Sequence, residues 1–273
     1  MASIDRDFSA PPRVRKIRWG QVTTGGIAIA ILLGLAGVVA QSQSIQWGQI
    51  PTYLVDPRIL NGVVLTLQLT VGAMVFGIAT GCVMAAMAIS DNPVLRAISA
   101  GFVWWFRGVP LIVQIFLWFN IALFVPTLGP WDINRLITPA VAGFLALGLH
   151  EAANMSEIIR AGLKAVDNGQ REAAQALGLK PLQIMRTIIL PQAVRLVIPP
   201  TGNQAIGMLK ASAIVSVIGM RDLLTMAQQI YSANFLVIEL LFVASIWYLA
   251  ITTVAQIGQH YLEKRFAPKG RGA

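Results

Sequence analysis

The chain contains few charged residues and almost no cysteine or histidine. Only 12% of its 273 residues are charged and 56% are hydrophobic, whereas soluble domains usually have about 25% charged residues. A single cysteine, Cys82, excludes an internal disulfide framework. The two histidines, His150 and His260, lie far apart, and no metal-ligand spacing or Ser/His/Asp constellation is visible. These shortages argue against an intramembrane or soluble enzyme and favour a membrane protein with no metal site.

A phosphate-binding loop is also missing, because the dipeptide Gly-Lys that such a loop requires never occurs. We therefore expect this chain neither to bind ATP-Mg nor to hydrolyse ATP itself. Basic residues outnumber acidic ones by 21 to 12, but they lie in loops between apolar segments and do not form one basic domain. This layout argues against a nucleic-acid partner.

Six apolar segments are candidates for transmembrane helices, and they predict an all-α membrane protein. They cover residues 22–40, 59–89, 109–128, 136–153, 192–219 and 234–257. The first segment, with its basic lead, also fits a cleaved signal peptide. The other five keep the same orientation under either interpretation.

The distribution of positive charge predicts the orientation of these segments. With an internal N-terminus and six spans, seventeen of the 21 basic residues fall inside the cell and three fall outside, while Lys210 lies within a span. The positive-inside rule therefore places both termini in the cytoplasm, together with the long polar stretch between the fourth and fifth spans.

Local patterns predict further features of these segments. Ala73, Gly77 and Gly81 recur every four residues, which favours close approach of another helix. Asn92-Pro93 predicts the start of a short surface helix that ends at Arg107. Pro199-Pro200 predicts a break in the fifth span, with a continuous helix from Thr201.

Two short helices are predicted inside the polar stretch from Gly169 to Pro191. Residues 170–177 are good helix formers, and Gly178 is suited to end them in a left-handed conformation. Ala173, Ala174 and Leu177 would form a small apolar face. Pro181 favours the start of a second helix, which Pro191 limits. This second helix carries Ile184, Met185, Ile188 and Ile189 at helical spacing, suited to packing on the membrane domain.

The same stretch resembles the EAA loop of ABC-importer permeases. That motif reads Glu-Ala-Ala, three residues, Gly, nine residues, Ile, one residue, Leu-Pro. Every position is filled here, by Glu172, Ala173, Ala174, Gly178, Ile188, Leu190 and Pro191. Residues 107–114 (RGVPLIVQ) and 157–160 (EIIR) resemble the branch of this family that carries polar amino acids. The resemblance covers about residues 59–262.

The resemblance implies a permease subunit of an ABC importer in the bacterial cytoplasmic membrane. It implies a cytoplasmic ATPase dimer that holds ATP-Mg and receives the EAA helices, an extracytoplasmic amino-acid-binding protein, and a second permease copy or paralogue. The predicted organisation is a basic arm (1–20), an extra helix with its outer connector (21–58), a five-helix permease core (59–262) with the EAA loop at 155–191, and a tail (263–273). The alternative is an ion-coupled secondary transporter, which would need internal repeats that are not seen.

Ionisable side chains inside apolar spans suggest a substrate path, because burying a charge in a membrane costs a few kcal/mol. Lys210 and Glu151 are suited to bind the carboxylate and ammonium groups of an amino acid. The equally open alternative is that they pair with each other or with other helices, or line the seam between two subunits. Asn203 and Gln204, just after the proline pair, either line the path or bond a broken helix end.

Two further ionisable groups have structural interpretations. Packing is expected for His150, which has no partner at a characteristic spacing. Glu239 lies near the outer end of the sixth span, where a side chain can extend to the interface at little cost.

Overall fold

The computed structural model describes residues 19–266, and within them the chain is almost entirely α-helical. The predicted all-α class is therefore confirmed. The described residues fall into two compact units that divide between Ile45 and Gln46. The first contains α1 (Trp19–Ala40). Nearly all of the predicted basic arm, and the tail beyond Phe266, lie outside the described residues.

The second unit contains the remaining helices and one short hairpin. In chain order they are α2 (Ile50–Leu54), α3 (Pro57–Ala88), α4 (Pro93–Gly108), α5 (Leu111–Phe119), β1 (Thr127–Leu128), β2 (Trp131–Asp132), α6 (Ile133–Leu136), α7 (Pro139–Lys164), α8 (Asn168–Ala176), α9 (Pro181–Ile184), α10 (Leu190–Ala211), α11 (Leu223–Asn234) and α12 (Val237–Phe266). The strands pair antiparallel, Thr127 with Asp132 and Leu128 with Trp131, around a turn at Gly129, which has φ +60°.

Among the described residues, three helical stretches are long and apolar enough to cross a membrane: 57–88, 181–218 and 237–266. The pair α4 and α5 passes the same test together, but the two helices are bent by 103°. At about 1.5 Å per residue, the 26 residues of α7 are also long enough to cross a bilayer. It falls outside the strictly apolar group because its second half carries charged side chains.

The close helix contact predicted from small residues is confirmed between α3 and α7. A Cβ atom added at Gly77 would lie 2.8 Å from the Cβ of Glu151, and one added at Gly81 would lie 2.7 Å from the Cβ of Met155. The two backbones approach this closely only because both residues lack a side chain. The main core cluster, which includes Ala73 and Leu147, is built around this contact.

The surface helix predicted after Asn92 is present as α4, and the Asn92 side chain accepts a hydrogen bond from the backbone N–H of Val94 at 2.9 Å. The third span, predicted across 109–128, is shorter than expected because α5 ends at Phe119. There the Asn120 side chain donates to the Phe116 carbonyl at 2.9 Å, which gives the last turn a polar partner.

The predicted helix break at Pro199-Pro200 is wrong, because both prolines lie inside α10. The missing N–H groups weaken this turn. Gln259 on α12 donates to the Pro199 carbonyl at 2.8 Å and stabilises the same turn from outside. Pro191 does not end the preceding helix either. A π-helical segment, Met185–Ile189, leads into α10, and the Pro191 ring occupies its first turn, where an N–H is not needed.

A second core cluster joins α2, α3, α11 and α12 and includes Ile50, Leu223 and Leu240. The Trp247 indole donates to the Leu54 carbonyl at 3.0 Å. Glu239, expected to extend to the interface, is instead buried and accepts the backbone N–H of Gln46 at 2.7 Å. The connector from Gln46 to Arg58 therefore packs as part of the same unit as the core.

Candidate functional site

The first helix of the EAA loop, α8, has well-defined ends. The Asp167 carboxylate caps it by accepting the backbone N–H of Gly169 at 2.7 Å. At the other end Gly178 has φ +77°, which confirms the predicted left-handed conformation. The N–H of Gly178 bonds the Gln175 carbonyl at 2.9 Å, and the N–H of Leu179 bonds the Ala174 carbonyl at 3.1 Å. These two bonds form a Schellman motif that sets the angle between α8 and α9.

The four apolar residues predicted to share a face in the second half of the loop contribute to one apolar cluster. Ile184 and Ile189 are buried, and Met185 and Ile188 lie against the same cluster. The cluster also contains Val166 and Ala174, so it joins α8 and the end of α7 to the start of α10. The loop is therefore a folded projection with its own apolar centre.

The outer surface of α8 is exposed. Ala174 points into the cluster and is buried, whereas Glu172, Ala173 and Leu177 face outward, with Leu177 81% exposed. The prediction that Ala173, Ala174 and Leu177 share one face is therefore wrong for Ala174. The outward face therefore presents one large apolar side chain, Leu177, beside Ala173 and the acidic Glu172.

The projection is joined firmly to two long helices. A Cβ atom at Gly162 on α7 would overlap a Val197 methyl group on α10, so the helices meet closely at the base of the loop. Gln192 on α10 donates to the Ile188 carbonyl at 2.9 Å and to the side chain of Gln170 on α8. Leu190 and Pro191, the last motif residues, are exposed. Movement of the loop would therefore be transmitted to α7 and α10.

Two of the predicted path residues lie together in the interior. Glu151 on α7 is 1% exposed, and Gln204 on α10 donates a hydrogen bond to its Oε2 atom at 3.0 Å. The Oε1 atom has no hydrogen-bond partner within 3.5 Å among the described residues, although the Asn154 side chain also lies near the carboxylate. A buried carboxylate with one free oxygen is costly unless a further donor arrives.

The other two path residues lie apart from this pair. Lys210 and Asn203 are exposed on α10. The salt bridges of residues 19–266 do not include a pair between Lys210 and Glu151. Pairing of Lys210 with Glu151 is therefore not found among the described residues, whereas Glu151 does bond to another helix through Gln204.

The bend between α4 and α5 is stabilised by side-chain hydrogen bonds that were not predicted as a site. Gln114 donates to the carbonyl oxygens of Phe106 and Val109, both at 2.8 Å. The Nδ1 atom of His150 lies 2.9 Å from the same Phe106 carbonyl. His150 therefore has the structural role expected for it. The signal for Gln114 was present in the segment RGVPLIVQ, but its function is visible only in the folded chain.

Comparison with known proteins gives a consistent result. Residues 77–268 match the family model described as binding-protein-dependent transport system inner membrane component. An arginine transport system permease protein of Corynebacterium glutamicum is 36% identical over 267 residues, covering 96% of this chain and 84% of that protein. A glutamate/aspartate import permease protein of Escherichia coli O6:H1 is 36% identical over 218 residues, covering 77% of this chain and 94% of that one.

Solved structures extend the similarity to the fold. A chain in the crystal structure of an amino acid ABC transporter with histidines has a TM-score of 0.74 and 33% identity, covering 81% of this chain and 99% of that one. A chain of the MetNI methionine ABC transporter has a TM-score of 0.64 with 18% identity, which shows a shared fold.

Proposed function

The chain belongs to the family of binding-protein-dependent transport system inner membrane components, and from this premise we propose its function. It is the permease subunit of an ABC importer that moves a polar amino acid across the bacterial cytoplasmic membrane. The ATPase activity belongs to a separate subunit. The observation that carries the proposal is the EAA loop, a folded projection with an exposed face and a base joined to two long helices.

The proposed partner for this face is a cytoplasmic ATPase dimer that holds ATP-Mg. Ala173 permits close approach, Leu177 supplies an apolar contact, and Glu172 supplies a charge for basic or backbone groups of a groove. The Schellman turn at Gly178 holds the two loop helices at one angle. When ATP closes the ATPase dimer, the projection would move as a rigid piece and tilt α7 and α10, which gives alternating access.

The proposed topology has six spans, with α1 outside the five-helix core and both termini in the cytoplasm. It rests on the asymmetry of positive charge. α4 then lies along the cytoplasmic surface, and α5 enters the bilayer as a short helix. Because five helices do not enclose a pathway alone, a second copy or a paralogue completes it. A binding protein outside the cell delivers the substrate.

The proposed substrate path runs beside Glu151 and Gln204. The free carboxylate oxygen of Glu151 is suited to accept an N–H from the ammonium or another cationic group of an amino acid. Lys210 and Asn203 face outward from α10, so they are placed to contribute to a path formed between two subunits. Lys210 would bind the substrate carboxylate.

The test is ATP-dependent uptake by the reconstituted complex, measured with a panel of amino acids. Glu172→Lys and Gly178→Asp should abolish both uptake and co-purification of the ATPase, while membrane insertion stays normal. Asp91→Lys is the control, since Asp91 is an exposed acidic residue in the turn between α3 and α4. Normal uptake by either loop variant would contradict the docking role. Ion-driven uptake by this chain without an ATPase would instead indicate a secondary transporter.

A further inference from the structure

A cavity of about 440 Å³ lies between the end of α3, the helix α4 and the second half of α7. Its wall includes three arginines, Arg96, Arg107 and Arg160, together with Glu157, Ser99 and Trp104. Its wall contains none of the EAA motif residues from Glu172 to Pro191, and neither Glu151 nor Gln204. None of the proposed transport steps uses these arginines.

The cavity has an excess of positive charge. Arg160 is paired with Glu157 through two hydrogen bonds, one of them 3.0 Å from Nε to Oε1. Arg96 donates only to the backbone carbonyls of Ser90 and Asp91, at 3.3 and 3.5 Å. Within residues 19–266, neither Arg96 nor Arg107 has an acidic group within 4.0 Å. Arg96 and Arg107 lie on one face of α4 but about 16 Å apart along its axis, and the Arg96 guanidinium is turned towards Ser90 and Asp91. Arg107 is therefore the guanidinium group available for an anion with several oxygens, and Arg96 adds positive charge at the other end of the cavity.

The surroundings of the cavity indicate which kind of molecule carries that anion. The helix α4 carries exposed apolar side chains, among them Val94, Ile98 and Trp105, and Trp104 is 75% exposed while it also lines the cavity. Exposed tryptophans beside basic residues are typical of a helix that lies at the bilayer interface. The helix is fixed to α3 at the cavity wall, because Ser99 is buried and donates to the Met84 carbonyl at 2.8 Å.

We propose that this cavity binds the phosphate of an anionic phospholipid. Arg107 binds the phosphate oxygens, Arg96 contributes longer-range attraction from the other end of the cavity, and Trp104 packs against the glycerol and the start of the acyl chains. Basic pockets between membrane helices bind anionic headgroups in this way. Free inorganic phosphate offers the same oxygens, but it would gain nothing from the exposed tryptophan. The lipid fastens α4 to α7, next to the bend that leads into α5.

The site can be tested on the purified full-length chain by native mass spectrometry. The chain is equilibrated with vesicles of phosphatidylcholine and phosphatidylglycerol in equal amounts and then transferred to detergent. We expect one phosphatidylglycerol to be retained per chain. In Arg96→Gln/Arg107→Gln, retention should fall by roughly thirtyfold, because each arginine contributes about fivefold to the binding of an anionic lipid. The control Arg186→Gln/Arg195→Gln removes two exposed charges outside the cavity and should keep the lipid.

A second variant distinguishes loss of the lipid site from misfolding of the double variant. Ala100→Trp fills the cavity from an exposed position and leaves both arginines in place, so it should also lose the retained lipid. Equal retention of phosphatidylcholine, unchanged retention in both cavity variants, or displacement of the lipid by millimolar inorganic phosphate would each overturn the proposal. Lipid retention is measured without transport. The lipid proposal can therefore be wrong while the proposed importer function is right, and the importer function can be wrong while the lipid proposal is right.

Discussion

The buried Asp222 carboxylate binds Thr225 twice: its Oδ1 atom accepts the Thr225 backbone N–H at 3.0 Å and also the Thr225 hydroxyl. Its Oδ2 atom accepts the backbone N–H of Leu224 at 3.3 Å. One side chain thus caps the N-terminus of α11. The next residue, Leu223, donates its own N–H to Thr66 on α3 at 3.0 Å, so the start of α11 is fixed to the core.

This cap predicts different outcomes for two substitutions at Asp222. Asp222→Ala should lower the free energy of unfolding by about 1–3 kcal/mol, because it removes the cap and leaves buried N–H groups unpaired. Burial raises the pKa of the Asp222 carboxyl, so the site disfavours charge. Asp222→Asn keeps the accepting oxygen without the charge and should retain most of the stability. Thermal unfolding of the purified proteins in detergent measures both, and equal midpoints for the two variants would argue against a capping role.

The contact between α3 and α7 predicts that Gly81 tolerates no side chain. In Gly81→Ala, the new Cβ atom would lie 2.7 Å from Met155 Cβ and 3.0 Å from the Ala152 carbonyl oxygen, so one helix must shift. Overpacking of this kind costs about 1–3 kcal/mol. Gly101→Ala on α4 is the matched control, since no atom lies within 4 Å of its added Cβ. A lower unfolding midpoint is expected for Gly81→Ala alone, and a midpoint equal to the control would mean that the helices adjust freely.

Local signals predicted well where a single residue decides the conformation. Gly178 was expected in a left-handed conformation and Asn92 at a helix start, because the backbone chemistry of these two residues leaves few alternatives. The spacing of Gly77 and Gly81 likewise predicted a helix contact, although not its partner. The EAA motif identified the loop because it fixes seven positions at once.

Predictions failed where a distant residue compensates for a local preference. Pro199 and Pro200 were expected to break the helix, yet Gln259, sixty positions along the chain, bonds the Pro199 carbonyl and supports the turn. Glu239 was expected to extend outward, and instead it accepts the N–H of Gln46 from the connector. Helical periodicity alone also does not decide which of two adjacent alanines, Ala173 or Ala174, turns inward. These outcomes depend on packing between segments far apart in sequence.

Because one carboxylate oxygen of Glu151 has no hydrogen-bond partner, we predict that this side chain contributes to transport and not to the stability of the fold. A buried charge in a membrane-spanning helix lowers the stability of the folded protein. Glu151→Gln should therefore leave the unfolding midpoint unchanged or raise it. If the carboxylate binds the cationic group of the substrate, the same change should lower uptake of amino acids at least about tenfold, which corresponds to the loss of one charge-assisted hydrogen bond.

The control for Glu151→Gln is Glu239→Gln, since Glu239 is equally buried and accepts a backbone N–H that an amide oxygen can still accept. Uptake by the reconstituted complex and co-purification of the ATPase are measured for both variants. Loss of uptake with intact assembly in Glu151→Gln alone supports the path beside Gln204. If both variants transport normally, the carboxylate of Glu151 serves only to join α7 to α10. If Glu151→Gln also releases the ATPase, its effect is on the EAA loop and not on the substrate, because both loop helices are anchored on α7 and α10.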